Sequence, residues 1–117
     1  MARKITGGKY KRKKKRKLAN IPGKPKKVII GKEKKKTLRE RGGNMRTILI
    51  ATDKVDVLDP KTKKIKKATI TAILENPSNR LTKDFLVKGS IINTTAGKAR
   101  ITNRPSREPI VQAILVE

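Results

Sequence analysis

Cysteine, histidine and tryptophan are all absent from this chain of 117 residues. Without cysteine there can be no disulfide, no thiolate zinc site and no cysteine nucleophile. Without histidine, the most common general base and metal ligand is missing as well. The composition therefore disfavours catalysis and fits a protein that works inside the cell without redox chemistry.

Long apolar runs are also absent. No stretch approaches the roughly 18 residues that a membrane span requires, and the basic N-terminus lacks the apolar segment of a secretory signal. We therefore expect a cytoplasmic protein with no membrane partner. The length predicts one domain, with room for a tail.

Acidic residues are few: 9 Asp and Glu stand against 33 Lys and Arg, which gives a formal charge of +24 and a pI near 11.0. Such a charge exceeds what solubility needs and predicts a polyanionic partner. Residues 1–46 hold 20 of the basic residues and only two acidic ones, Glu33 and Glu40. This gradient predicts a basic extension over residues 1–44 and a folded body over residues 45–117.

The extension is predicted to be disordered unless a polyanion is bound. Its stretch KYKRKKKRK, residues 9–17, carries eight cationic side chains in nine positions. Too few apolar side chains are present to offset an ordering cost of about 1–2 kcal/mol per residue. Glycines and prolines interrupt the segment and disfavour long helices. One short helix is predicted from Lys32 to Arg41, ending at the glycine pair that follows.

The body is predicted to be all-β, since Ile, Val and Thr dominate it and turn signals recur regularly. Residues 47–117 are too few for a full-size sandwich, whereas a small closed or nearly closed β-barrel removes exposed strand edges at this length. The predicted fold is such a barrel with a long basic N-terminal extension lacking regular structure. The predicted strands are Met45–Thr52, Val55–Leu58, Lys66–Leu74, Leu86–Lys88, Ile91–Thr95, Lys98–Thr102 and Ile110–Val116.

Local patterns add detail to the barrel. Alternation predicts that one face of the third strand is buried, and that Thr69 and Thr71 lie on the other face. The residues predicted to be buried there are Ala68, Ile70, Ala72 and Leu74. Phe85 is predicted to pack in the core. Turns are predicted at Asp59-Pro60, at Asn76-Pro77 and, as a tight hairpin, at Ala96-Gly97.

Five blocks of sequence, in this order and spacing, resemble one known family. They are RKITGGKYKRKKKRK at residues 3–17, RERGGNMR at 39–46, ENPSNR at 75–80, VKGSIINTTAGKARITNRP at 87–105 and IVQAILVE at 110–117. The chain is similar to small-subunit ribosomal protein eight of the archaeal and eukaryotic type, and its compact length resembles the archaeal members. The resemblance implies a structural constituent of the small ribosomal subunit, with a basic extension threaded into ribosomal RNA (rRNA) and a small β-barrel. It also implies neighbouring ribosomal proteins as partners. We expect no small-molecule substrate and no homo-oligomer.

The candidate RNA-binding residues are cations, together with glycines whose backbone could approach phosphate closely. With only Tyr10 and Phe85 as aromatics, recognition is predicted to follow RNA shape and backbone rather than stacked bases. Arginines are favoured because their guanidinium groups bind phosphate in a bidentate manner. The candidates in the extension and next to it are Arg3, Lys4, Gly7, Gly8, Lys9, Tyr10, Lys11, Arg12, Lys13, Lys14, Lys15, Arg16, Lys17, Lys24, Lys26, Lys27, Arg39, Arg41, Gly42, Gly43, Asn44 and Arg46. On the barrel they are Arg80, Lys88, Lys98, Arg100 and Arg104, each of which could equally be a solubilising charge.

Other functions receive less support from the residues. A DNA-compacting, chromatin-like protein or an RNA-assembly chaperone would neutralise phosphate with the same cations, although no internal repeat typical of the former is present. Asp53, Asp56 and Asp59 are too few oxygen donors for a magnesium site. The stretch AGKAR at residues 96–100 lacks the glycine and hydroxyl residue of a phosphate-binding loop, because Ile92 and Ala99 occupy those positions. We expect no enzyme activity, no metal and no cofactor.

Overall fold

The computed structural model describes residues 3–10, 15–21, 26–77 and 84–116. Within these ranges the chain forms strands and two short 3-10 turns, at Leu18–Asn20 and Arg41–Gly43. The strands are β1 (Ile29–Ile30), β2 (Lys34–Arg39), β3 (Met45–Thr52), β4 (Lys54–Leu58), β5 (Ile65–Glu75), β6 (Ile91–Thr94), β7 (Gly97–Ile101) and β8 (Gln112–Leu115). The all-β prediction is confirmed.

Strands β4 to β8 close into a barrel in the order β4-β5-β6-β7-β8. Neighbouring strands are antiparallel except where β4 meets β8 in parallel, with Val57 opposite Ala113, and this pairing closes the barrel. Closure leaves no unpaired strand edge, which is how a sheet this small avoids edge-to-edge association. The predicted small barrel is therefore confirmed.

Strands β1 to β3 form a separate sheet in the order β1-β3-β2. The helix predicted from Lys32 to Arg41 was wrong, because Lys34–Arg39 pairs antiparallel with β3. A helix would stack the lysines of this segment at i, i+3 and i+4, where like charges repel, whereas an extended strand separates them. The predicted boundary at residue 44 stays a prediction, and the pairing of β2 with β3 crosses it.

Most predicted strand positions agree with the structure to within two residues. The strand predicted at Leu86–Lys88 was wrong, since these residues form no strand and lead into a turn at Lys88–Gly89. The predicted hairpin lies one residue earlier than expected. Its two-residue turn is Thr95-Ala96, and Gly97 already pairs with Thr94 as the first residue of β7.

A β-bulge changes which side chains of β5 face the core. The register between β5 and β6 shifts between Ile70 and Ala72. Ala68 and Ile70 are buried as predicted, but Ala72 is exposed and Leu74 is 47% exposed, while Ile73 packs against the core. The prediction for Ala72 and Leu74 was wrong because an extra residue reverses the alternation beyond it.

One hydrophobic core joins the barrel to the smaller sheet. Its buried residues are Val28, Leu49, Val55, Val57, Ala68, Ile70, Leu86, Ile92, Ala99, Ile101, Val111 and Ala113. Val28 is only 1% exposed, and its carbonyl accepts a hydrogen bond from the Leu86 N–H at 2.8 Å. The chain entering β1 therefore contributes a side chain to the same core as the barrel strands.

The segments before β1 lie away from this core. Every described residue between positions 3 and 21 is exposed. The radius of gyration is 20.6 Å, whereas a compact domain of this length has about 13 Å. The structure thus combines a packed body with an extended, cationic N-terminal part.

Candidate nucleic-acid interface

The first described segment, residues 3–10, folds back on itself in a short turn. Arg3 and Lys9 lie opposite each other in an isolated antiparallel bridge. The Gly7 N–H donates to the Lys4 carbonyl at 2.8 Å, and the Lys4 N–H donates to the Gly8 carbonyl at 2.9 Å. Gly7 has a φ of +81°, in the left-handed region that glycine tolerates best. The turn thereby places two cationic side chains next to each other.

Tyr10 ends this turn with its ring accessible. It is 63% exposed, and Lys4 Nζ lies 5.8 Å from the centre of its ring. Lys15, Arg16 and Lys17 are exposed in the next described stretch. Every residue described between positions 3 and 21 is exposed, so burial does not fix these charged side chains.

A second group of candidates lies at the closed end of the β2–β3 hairpin. Arg39 is paired with Met45 in the sheet register, and Arg41 begins the 3-10 turn that follows. Gly42 and Gly43 have φ of +79° and +80°. Backbone N–H groups near left-handed residues form concavities that bind anions. A side chain at Gly43 would meet no atom within 4 Å, so backbone conformation rather than space favours glycine there.

Both acidic residues of the N-terminal 46 residues are paired with cations. Glu40 forms an ion pair with Arg46. Glu33 pairs with Lys35 and lies 4.0 Å from Lys54 Nζ. The hydrogen bond from Lys35, together with its charge, lowers the pKa of Glu33 and keeps that carboxylate ionised. The exposed cations of the extension therefore outnumber the carboxylates that could neutralise them.

Three of the barrel candidates lie close to strand β7. Lys98 and Arg100 alternate with the buried Ala99 and Ile101, so both side chains lie on the outer face of this strand. The Gly89 N–H donates to the Ile101 carbonyl at 2.8 Å, which places the turn carrying Lys88 beside the end of β7. The outer wall of the barrel at this strand is therefore cationic.

Arg104 lies beyond the end of β7 in the loop that leads to β8. Its carbonyl accepts hydrogen bonds from the N–H groups of Arg107 and Glu108, at 2.9 and 3.2 Å. Asn103 closes the same loop, because its side-chain oxygen accepts a hydrogen bond from the Gln112 N–H at 3.0 Å. These bonds hold Arg104 in an ordered, exposed position.

Lys26 and Lys27 immediately precede the buried Val28. Lys27 Nζ lies 4.8 Å from the centre of the Phe85 ring, a cation–π contact. The prediction of a core role for Phe85 was wrong: this ring is partly exposed, and the neighbouring Leu86, 2% exposed, enters the core instead.

Some candidates are not placed by the structure, and one group was missed. The candidates outside the described residues are Lys11, Arg12, Lys13, Lys14, Lys24 and Arg80. The sequence-based prediction omitted the lysines that follow β4, although their density is itself a signal. They are Lys61, Lys63, Lys64, Lys66 and Lys67, and all of them are exposed.

Neither a metal site nor a membrane-spanning helix is found in the described part of the chain. Across residues 3–10, 15–21, 26–77 and 84–116, no three Asp or Glu side chains are grouped so that they could hold a metal ion. Within the same ranges, no helix has the length and apolarity needed to cross a bilayer.

Comparison with known proteins identifies the family of this chain. The family model of ribosomal protein S8e matches residues 1–116. The small ribosomal subunit protein eS8 of Methanocorpusculum labreanum is 36% identical over 117 residues, covering 98% of this chain and 94% of that protein.

Two further archaeal relatives have the same name. The protein of Sulfolobus acidocaldarius is 38% identical over 98% of this chain and 92% of its own length. That of Methanocella arvoryzae is 41% identical over 75% of this chain and 72% of its own length. The match runs through the cationic extension and the barrel alike, and the chain belongs to the ribosomal protein S8e family, structural components of the small ribosomal subunit.

Proposed function

We propose that the chain binds folded small-subunit rRNA through its cationic extension, and that the extension becomes ordered when it does so. As a member of its family the chain has rRNA and other ribosomal proteins as partners. The finer proposal concerns which part of the chain makes the contact. It assigns that role to the described cations of residues 3–21 and to the closed end of the β2–β3 hairpin.

The observation that carries the proposal is the pairing of Arg3 with Lys9 in a segment where every described residue is exposed. Like charges directly opposite each other in a β-bridge are destabilising. No burial compensates for that repulsion. A phosphate between the two side chains would replace this repulsion by attraction, because both cations would then face an anion. Each neutralised phosphate also releases condensed counterions, which favours binding further. The turn is therefore expected to be stable when RNA is present.

The hairpin end supports the same function by different means. Arg39 and Arg41 form no ion pair with any carboxylate in the described part of the chain. Gly42 and Gly43 both have a left-handed backbone, the Cβ side of Gly43 is open, and the Asn44 amide nitrogen is 3.9 Å from the Cβ position of Gly42. Guanidinium groups and backbone N–H groups are the usual ligands of phosphate in positioning contacts. We propose that this end of the hairpin contacts the RNA backbone.

The test compares the full chain with a chain that lacks residues 1–17, using a folded small-subunit rRNA transcript and a salt series. If the full chain engages about 10 phosphates, log K falls with log salt at a slope of about −7 to −9. The deletion is expected to weaken binding on the order of 100-fold and to flatten the slope. Thermal melting of the body should change little, because the described residues of the deleted segment are exposed.

Two controls separate this proposal from its alternatives. Duplex DNA of equal length should bind the full chain more weakly than the rRNA does, and equal affinity would favour a DNA-compacting protein. Sedimentation of cell extract should place the chain with the small subunit at moderate salt, and recovery only in free fractions would favour a transient assembly chaperone. Unchanged rRNA affinity after the deletion would refute the role of the extension.

A further inference from the structure

A lysine-rich loop joins β4 to β5 on the barrel. We call residues 59–67, which are this connection together with the first three residues of β5, the lysine loop. It contains the five lysines that the sequence-based prediction omitted, and each is exposed. The extension and the hairpin end do not include this loop, so it represents a separate concentration of positive charge.

Hydrogen bonds made by Asp59, the first residue of the lysine loop, order this segment. The two carboxylate oxygens of Asp59 accept hydrogen bonds from the Lys61 N–H at 3.1 Å and from the Thr62 hydroxyl at 2.9 Å. The Asp59 carbonyl accepts a bond from the Lys63 N–H at 2.8 Å, and the Asp59 N–H donates to the Lys64 carbonyl at 3.0 Å. Lys63 has a φ of +54°, which is uncommon for a residue with a side chain. The lysines are therefore carried by a hydrogen-bonded turn and the first residues of β5, so little backbone conformational entropy is lost when a ligand binds.

The charge of the lysine loop is largely uncompensated. Lys63, Lys64, Lys66 and Lys67 form no ion pair within 4.0 Å of a carboxylate oxygen in the described part of the chain. Two acids belong to the loop or lie opposite it: Asp59, whose oxygens accept the hydrogen bonds of the turn, and Asp56, which is paired with Lys67 in the sheet register. Two carboxylates against five ammonium groups leave a net positive surface.

The lysine loop lies at the far end of β4 from the sheet that contains the hairpin. Strand β3 leads into β4 at Asp53, and the loop follows the other end of β4. A strand of this length spans about 16 Å. Side chains at alternate positions of β5 place Lys66 at the barrel mouth, above the buried Ala68, and Lys67 on the outer wall. The loop and the smaller sheet therefore lie at opposite ends of β4. A partner would meet them at two different places.

We propose that the lysine loop is a second phosphate-binding site, which docks the barrel on the rRNA backbone independently of the extension. The proposal rests on the proposed function, because it assumes RNA as the partner. Lysine is depleted at protein–protein interfaces but serves well as a point charge for phosphate. An ordered set of lysines without aromatic residues fits sugar-phosphate backbone in preference to an acidic protein surface. The site reads the position of phosphates and not the sequence of bases.

The test removes four charges from the lysine loop and four from elsewhere. One variant carries Lys63→Gln, Lys64→Gln, Lys66→Gln and Lys67→Gln. Its matched control carries Lys32→Gln, Lys34→Gln, Lys36→Gln and Arg107→Gln, which are also exposed and change the net charge equally. Binding to the small-subunit rRNA transcript is measured over a salt series for both variants, for the full chain and for the chain lacking residues 1–17. Circular dichroism and melting confirm that each variant is folded.

The expected result is that the loop variant loses about 10-fold or more in affinity and that its salt slope shrinks by about 2 to 3, whereas the control loses clearly less. Equal losses in the two variants would mean that only net charge matters and would overturn the proposal, as would a larger loss in the control. If the loop variant binds normally while the deletion loses affinity, the proposed role of the lysine loop is refuted and that of the extension is supported. If the loop variant loses affinity while the deletion does not, the proposed role of the extension is refuted and that of the lysine loop is supported.

Discussion

Asp59 fixes the turn between β4 and β5 with both of its carboxylate oxygens. The hydrogen bond from the Thr62 hydroxyl, followed by those from the Lys61 and Thr62 N–H groups and the charge of Lys66, lowers the pKa of Asp59 below its ordinary value of 3.8. A carboxyl group with a lowered folded-state pKa stabilises the fold above its unfolded-state pKa. That contribution is lost as the pH falls through the folded-state value. Protonation of Asp59 is therefore expected to weaken the hydrogen bonds that order the lysine loop.

Replacing Asp59 by asparagine should lower the melting temperature at pH 7, because the charge-assisted hydrogen bonds of the turn are weakened. The difference from the unchanged chain should shrink as the pH falls below 3.8, the ordinary value, and through the lowered folded-state pKa of Asp59. Melting curves between pH 2 and 7 measure this. The exposed Asp84→Asn is a suitable control and should show a smaller effect at every pH. A difference that grows on acidification would contradict the assigned role of Asp59.

Neighbouring residues also show how far a local pattern can be interpreted. The turn at Asp59-Pro60 could be predicted, because an aspartate followed by proline starts a turn through its own side chain. The choice between Phe85 and Leu86 as the core residue could not be predicted. It depends on the Leu86 N–H donating to the Val28 carbonyl, a contact between residues far apart in sequence. Which of two adjacent apolar residues is buried is therefore a tertiary outcome.

At the scale of elements, β5 combines a predictable strand with an unpredictable bulge. Its alternation holds as far as Ile70 and reverses beyond the register shift, so that Ile73 rather than Leu74 packs against the core. No residue type at this point marks the extra position. The bulge is set by the pairing with β6, and a bulge of this kind adds the bend and twist that closing a small barrel demands.

The bulge predicts that a substitution at Ile73 destabilises the fold more than one at Leu74. Simple alternation along β5 would predict the opposite. Ile73→Ala should lower the free energy of unfolding by about 2 kcal/mol, because it removes packing against the core. Leu74→Ala, at a side chain that is 47% exposed, should cost less than about 1 kcal/mol. Urea denaturation of the two variants compares them directly. A larger cost at Leu74 would mean that β5 continues its alternation without the bulge.

Val28 lies just before β1, on the N-terminal side of the boundary predicted at residue 44, and its side chain is part of the core that contains the barrel residues. Val28→Ala should destabilise the barrel by about 2 kcal/mol, through lost burial and the cavity left behind. The adjacent Ile29→Ala is the matched control: Ile29 is 47% exposed and should cost less than about 1 kcal/mol. Denaturation midpoints measure both. Equal small effects would mean that Val28 does not share the barrel core in solution.

At the scale of the whole molecule, a packed body carries an exposed N-terminal part, and we propose that a partner orders it. Residues 3–21 expose every described side chain, whereas residues 26–52 supply strands and core residues to the body. Conformational entropy opposes ordering of the first part, and burial offsets it only in the second. The boundary predicted at residue 44 assigns residues 26–44 to the extension, whereas the strand pairing assigns them to the body. The two assignments can be distinguished in the free protein.

Backbone NMR of the free chain should show dispersed amide signals for residues 47–116 and random-coil shifts for residues 3–21. The pairing of β2 with β3 predicts dispersed signals for residues 26–44 as well, whereas the boundary predicted from charge gives random-coil shifts there. Addition of the rRNA transcript should order residues 3–21. A rigid extension in the free protein would contradict the proposal that RNA supplies the missing stabilisation.

The sequence by itself determined the fold class, the separation of charge from apolar residues and the family, because composition, alternation and turn residues act locally along the chain. Charge density alone already predicted a polyanionic partner. Only the tertiary structure decided that Lys34–Arg39 is a strand, that β5 reverses its faces and that Val28 belongs to the core. Each of these depends on hydrogen bonds or packing between residues distant in sequence, whose free energies exceed the local preferences that a sequence displays.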